Sequence, residues 1–182
     1  CRRERRITST RALALSPTGQ RLVFGRGQRL VLVDPNATNA PPLATVNLHP
    51  DAVRAVAWSP DGRAILSGSF RTVMLHDPAT LQPRWVVTNL LGRITALQFS
   101  RFGGAVLAGD AEAGGAGWLR VLASDSGRQT AAWIAHADAI AEIATGIEGG
   151  LIATAGADQL VRFWEPLSQQ EIFRLEAHGG AV

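Results

Sequence analysis

The segments "VRAVAWSPDGRAILSG" (Val53–Gly68) and "ITALQFSRFGGAVLAG" (Ile94–Gly109) share one plan. An apolar run leads into a serine-headed turn, and a second apolar run ends on glycine. The same plan governs "RALALSPTGQRLVFG" (Arg11–Gly25) and, more loosely, "IAEIATGIEGGLIATAG" (Ile140–Gly156). Ser16, Ser59, Ser100 and Gly146 hold the turn position, at successive spacings of 43, 41 and 46 residues. A period of this size marks a repeat protein, in which no unit can bury its own faces alone.

Each unit continues with a third apolar segment: "RLVLVDP" at Arg29, "TVMLHDP" at Thr72, "WLRVLAS" at Trp118 and "LVRFWEP" at Leu160. A fourth closes it: "LATVNL", "RWVVTNL", "AAWIAH" or "IFRLEAH". Short runs bounded by Gly, Pro, Asp, Asn or Ser, with local alternation, read as strands; no stretch holds a helical period for long. In "SPDGR" the proline presets φ and the glycine accepts a positive φ, so the first two strands form a hairpin. Four strands per repeat of roughly 43 residues predict an all-β fold, a β-propeller of four-stranded antiparallel blades. About four blades are present, an incomplete propeller. Small residues in the first two strands suit the crowded inner part of each blade, and Trp, Phe and Leu suit the space between blades. The expected organisation is a basic N-terminal linker at 1–10, then a propeller segment over 11–182. Its repeats lie at approximately 7–48, 49–89, 90–135 and 136–177, and 178–182 begins a further one.

Charge narrows the function. The net charge of +3 is concentrated at the start: residues 1–11 carry +4 and the remaining 171 sum to −1. All eighteen basic residues are arginine, which raises the isoelectric point without making a basic stripe, so nucleic acid is not the expected partner. "CRRERR" reads as a solvated linker. No apolar run approaches eighteen residues, so no membrane span is expected in this segment. A single cysteine, Cys1, rules out an intrachain disulfide or a cysteine zinc site; it favours the cytoplasm and is compatible with a periplasmic domain.

Cofactor motifs are missing: no P-loop, no Cys-x-x-Cys-His and no dinucleotide fingerprint. "HPDAV" at His49, "HADAI" at His136 and "HGGAV" at His178 repeat one pentapeptide. Equivalent repeat positions put these histidines in different blades, which argues against a shared metal. His76 has only Asp77 beside it. "GDAEAGGAGW" (Gly109–Trp118) reads as an extended surface hairpin loop, and Asp110 with Glu112 does not make a calcium site.

On these residues the chain resembles the WD-repeat (tryptophan–aspartate) β-propellers. "ATAGADQLVRFWE" in the fourth unit is similar to the family's Ser/Thr-Gly-x-x-Asp-x-x-Val-x-x-Trp-Asp, with Glu165 for the final Asp. The second unit ends with His76 and Asp77 in the Trp and Asp slots, the first with Val33 and Asp34, and the third departs most, with Leu122 and Ala123. The resemblance implies a structural tetrad of His136, Thr154, Asp158 and Trp164 in the fourth unit. It implies a partial one, His49 and Ser67, in the second. His49 to Ser67 and His136 to Thr154 both span eighteen residues. In the third unit Leu90 and Ala108 stand in these places, so no such network is expected there. Ser/Thr, His and Asp also spell a hydrolase triad, but a hydroxyl turned towards an indole serves packing.

The implied function is a non-catalytic scaffold for protein–protein interaction, a fragment of a larger bacterial protein, with no cofactor and an unidentified protein partner. The alternative is an accessory propeller domain of a multidomain enzyme, kinase or cytochrome-like redox protein whose chemistry lies outside this segment. The resemblance directs attention to the positions flanking the opening Val or Ile of each blade. Arg54, Arg93 and Thr95 are candidates there, joined by Phe70 and Arg71 from the short hairpin of the second unit.

Overall fold

The computed structural model describes residues 12–37, 40–111, 115–146 and 149–176. These form strands, turns and loops, with no helix among the described residues. Blade 1 comprises β1 (Leu13–Leu15), β2 (Leu22–Arg26), β3 (Arg29–Val33) and β4 (Ala44–Asn47). Blade 2 comprises β5 (Ala55–Trp58), β6 (Ile65–Ser69), β7 (Thr72–His76) and β8 (Pro83–Val87). Blade 3 comprises β9 (Arg93–Phe99), β10 (Ala105–Ala111), β11 (Gly117–Ala123) and β12 (Gln129–His136). Blade 4 comprises β13 (Ile140–Thr145), β14 (Ile152–Gly156), β15 (Leu160–Glu165) and β16 (Gln170–Glu176). Each blade is one antiparallel sheet whose spatial order follows the chain. The architecture is that of an open β-propeller.

The serine-headed turn sets the first hairpin of blades 1 to 3, and Gly146 heads the corresponding turn in blade 4. In blade 2, Ser59 Oγ donates to Asp61 and accepts from the amide of Ala64, and Gly62 takes φ +71°. Gly19, Gly103 and Gly149 repeat that left-handed φ, at +72°, +73° and +72°, a conformation that side chains with a Cβ rarely adopt. The hairpin sets the register: Trp58 faces Ile65 and Ala57 faces Leu66.

A second glycine decides how blades stack. Gly25, Gly68 and Gly109 hold the same place in β2, β6 and β10. A Cβ on each would lie 2.5–2.8 Å from a side-chain carbon of Val53, Ile94 or Ile140, each of which precedes or opens the next blade. The missing side chain lets a β-branched residue seat directly on the neighbouring sheet. Three buried clusters grow around these contacts. Val23, Leu30 and Leu32 pack with Val53 and Ile65 between blades 1 and 2. Leu66, Val73 and Leu75 pack with Ile94, Phe99 and Val106 between blades 2 and 3. Leu107 and Leu119 pack with Ile140 and Ile152 between blades 3 and 4. Burying such side chains stabilises the array by roughly 1.5–3 kcal/mol each before entropy is counted.

The innermost strands β1, β5, β9 and β13 converge on one cleft of about 310 Å³, lined by Leu13, Arg54, Thr95, Leu97 and Glu142 among others. The ring is not closed. Leu13 and Leu15 of blade 1 are 65% and 53% exposed, and Phe173 and Leu175 of blade 4 are 54% and 45% exposed.

The glycine-rich stretch of the third unit differs from its sequence expectation. Gly109–Ala111 and Gly117–Trp118 continue β10 and β11, so both strands reach seven residues. Asp110 causes this: its carboxylate accepts the amide of Trp118 and the Nε of Arg120 across the hairpin. Glu112 and His178 lie outside the described residues.

Candidate functional site

Blade 4 brings His136, Thr154, Asp158 and Trp164 together. His136 Nδ1 donates to Asp158 at 2.8 Å, and Trp164 Nε1 donates to Thr154 Oγ1 at 2.8 Å. The Thr154 hydroxyl lies 2.8 Å from His136 Nε2, the remaining acceptor. Protons therefore point in one direction, from Trp164 through Thr154 and His136 to Asp158. Burial alone would raise the Asp158 carboxyl. Hydrogen bonds from His136 and from the amides of Ala137 and Leu160 outweigh it and hold the group below the usual carboxylate range. Thr154 has no exposed surface, and its oxygen is taken by the indole. No nucleophile is presented to solvent by this set.

Blade 2 fills the same slots differently. His49 Nε2 is 2.6 Å from Ser67 Oγ, and Ser67 Oγ is 2.6 Å from His76 Nε2. His49 Nδ1 is 2.8 Å from Ser69 Oγ, and His76 Nδ1 is 2.8 Å from the Leu81 carbonyl. That carbonyl can only accept, which fixes every proton in the chain. His76 donates through Nδ1 and accepts at Nε2 from Ser67. Ser67 accepts from His49 Nε2, and His49 Nδ1 accepts from Ser69. The order of donation is reversed relative to blade 4. Both imidazoles must be neutral for this. Burial, helped by the nearby His76, pushes His49 down to about 4; burial also lowers His76, against the pull of the Leu81 carbonyl.

Sequence alone makes the second-unit set look partial, because no Asp follows Ser67 and histidine replaces tryptophan. The structure supplies Ser69 for the missing Asp and puts His76 in the Trp slot, with its ring centroid 6.3 Å from that of His49. His76 therefore is not isolated. The signal was available in sequence: Ser67 and Ser69 alternate on β6 and so share a face.

Blade 3 has neither histidine nor hydroxyl at these places. It buries an ion pair instead, Asp110–Arg120 at 3.1 Å, with the Asp110 side chain fully buried. Arg120 also reaches Gln129 and lies 5.4 Å from the Trp118 ring. Arg120 faces Ala108 across the sheet as Arg162 faces Thr154 in blade 4. Arg162 in turn reaches Asp158 and Glu171.

The acid that follows the third strand caps the next turn. Asp77 accepts the amides of Ala79 and Thr80 and pairs with Arg84. Arg84, then those amides, pull its carboxyl down to about 2. Glu165 receives the amides of Leu167 and Ser168 in the same way. Glutamate thus serves where aspartate is usual.

The other singled-out residues lie at the end of the blades that carries the second hairpin tips and the connections between blades. Phe70 is 44% exposed and forms a bridge with Arg93. Arg71 holds φ +56°, and its Nε donates to the Leu90 carbonyl at 2.7 Å. Arg54 projects into the central cleft, where its Nε is buried and finds no partner among the described residues. Thr95 is committed elsewhere: its hydroxyl donates to the carbonyls of Ile140 and Gly109, tying blade 3 to blade 4. No group of three or more His, Cys, Asp or Glu among the described residues could hold a metal ion.

Repeated antiparallel blades around one axis, two of them with a buried histidine–hydroxyl chain, define a propeller of the repeat type. Residues 40–77, spanning β4 of blade 1 and the first three strands of blade 2, match the family described as WD domain, G-beta repeat. With three further blades of the same strand order, the match is consistent with the WD-repeat family, whose propeller domains are generally non-catalytic and mediate protein interactions. No curated protein matches the chain.

Proposed function

We propose that this chain is a non-catalytic platform that binds a protein partner on the end of the blades bearing Phe70, Arg71 and Arg93. The observation that carries this is the clamped, partly apolar tip joining blades 2 and 3. Phe70 and Leu91 are 44% and 46% exposed there, with Arg71 and Arg93 beside them. Backbone bonds from Arg71 to Gly92 and from Leu90 to Arg71 hold the two segments together. An aromatic side chain flanked by arginines on rigid backbone suits a binding anchor, because little ordering entropy remains to be lost. Arg54, further in, extends the same surface into the central cleft. The buried Thr154 hydroxyl, already engaged by Trp164, supports a packing role over a catalytic one.

Affinity capture with the wild-type chain and with F70D and R93E tests this. The expected result is a co-purifying protein lost with either variant and kept with F102D, which alters the opposite end, where Phe102 is 84% exposed. Retention with F70D and R93E, with loss in F102D, would move the binding surface to the other end.

A further inference from the structure

One end of blades 1 to 3 carries a row of arginines without matching acids. The tip between β2 and β3 bears Arg26 and Arg29, and the tip between β6 and β7 bears Arg71. Arg54 stands just before β5, and Arg93 opens β9. Antiparallel order puts all of them at the same end, because the tips between second and third strands and the links between blades lie there. Arg26, Arg29, Arg71 and Arg93 are exposed, and Arg54 is half-buried. Asp51 is the acid within the same loops, and its carboxylate accepts the amide of Ala52. No ion pair joins any of these arginines to an acid among the described residues.

The backbone fixes this row. The Val53 amide donates to the Gly27 carbonyl, that of Arg54 to Gly68 and that of Arg71 to Gly92, at 2.8, 2.8 and 3.0 Å. The Gln28 side chain donates to the Pro50 carbonyl at 3.1 Å, and Phe70 bridges Arg93. Bonds therefore run without a break from the tip of blade 1 to the entry of blade 3. Loops tied in this way do not move apart to dilute the charge, and a ligand's counter-charge relieves the repulsion that remains. The opposite end is composed differently. There Arg84 pairs with Asp77 at 2.9 Å, Arg63 stands with Asp61 in the turn after β5, and Arg128 with Asp125 in the turn after β11.

We propose, resting on the binding end argued above, that the partner presents an acidic segment of polypeptide. Its carboxylates pair with Arg26, Arg29, Arg71 and Arg93, and an apolar side chain seats on Phe70 and Leu91. Guanidinium suits this role because it meets a carboxylate through two parallel N–H···O bonds. A phosphate polymer is the weaker fit. The chain outside its first eleven residues sums to −1, so no long-range field draws in a polyanion. A short row of arginines around an apolar spot matches a peptide that mixes carboxylates with aliphatic side chains.

Fluorescence anisotropy of the 182-residue chain tests this with labelled probes: a peptide of repeating Glu-Glu-Leu, its Gln-Gln-Leu counterpart and an oligothymidylate. The Glu peptide should bind about tenfold or more tighter than the Gln peptide, and more weakly as salt rises. R26E combined with R29E should weaken it by about tenfold, with unchanged circular dichroism, and R63E combined with R128E at the opposite end by less than about twofold. Equal affinity for the Glu and Gln peptides, or binding of neither, would overturn the acidic partner. Tighter binding of the oligothymidylate would overturn it in favour of nucleic acid. The affinity capture with F70D and R93E reads the binding end by itself. A captured protein lost in those variants but kept in R26E combined with R29E would overturn the acidic segment and leave the binding end standing.

Discussion

Blades 2 and 4 solve one problem with different side chains. Each buries a histidine and a hydroxyl where the second and third strands meet, and each must leave no polar atom unpaired. Blade 4 starts its chain of hydrogen bonds at a group that only donates, the Trp164 indole, and ends it at one that only accepts, the Asp158 carboxylate. Blade 2 ends instead at the Leu81 carbonyl, so its protons run the other way. The slots are conserved in geometry within the chain, but the end groups decide the polarity. A histidine substitutes for tryptophan there because Leu81 supplies the acceptor that the second ring nitrogen needs.

The largest effect should come from emptying the blade 4 slot. Trp164 is 4% exposed and packs 5.9 Å from the Trp133 ring of blade 3. W164A should lower stability by about 3–5 kcal/mol, read by urea denaturation. A loss under about 1 kcal/mol would mean the slot is not held by the indole.

Acid should separate the two blades. The folded pKa of His49 is depressed from 6.5 to about 4, so the unfolded chain binds a proton first. The stability it contributes is complete above pH 6.5 and is lost as pH falls towards 4, amounting to about 3 kcal/mol; burial of His76 acts in the same direction. Asp158 is depressed below 3.8, so its contribution is lost only at lower pH, as the pH falls through its folded value. Denaturation midpoints between pH 7.5 and 4.5 should therefore fall for the wild type and much less for H49Q. An equal fall in H49Q would assign the titration elsewhere.

Restoring the family signature in blade 2 should hurt. H76W places a larger ring in a fully buried slot and deprives the Leu81 carbonyl of its donor, at a cost of about 1–3 kcal/mol. A rise in melting temperature would show that the slot prefers tryptophan regardless of Leu81. S69A, which removes one donor to His49, should cost about 1–2 kcal/mol in the same assay. The smallest change belongs to R162M, which gives blade 4 the residue of Met74. Its ion pairs are partly exposed, so the change should stay under about 1 kcal/mol, and its salt dependence would reveal any larger electrostatic role.

The order of strands was legible in the chain itself, whereas the blade 4 set was implied by the resemblance to the WD-repeat propellers. The 43-residue spacing, the Ser-Pro turns and the eighteen-residue step from histidine to hydroxyl are local patterns, and local patterns survive folding unchanged. The blade 2 and blade 3 networks were less legible. Ser69 looks like an ordinary strand residue until β6 alternation turns it towards His49, and Leu81, whose backbone carbonyl is the acceptor and carries no side-chain signal, enters only when the turn after β7 folds back. Asp110 and Arg120 are ten residues apart and meet only because the hairpin between them lengthens.

The residue sequence by itself determined the repeat, the hairpins and the residue types that fill each slot, because strand alternation and turn chemistry are short-range. Tertiary structure alone decided which side chains share a proton and which sheet faces cover one another. Both depend on sheets laid against one another, where Gly68 leaves room for Ile94.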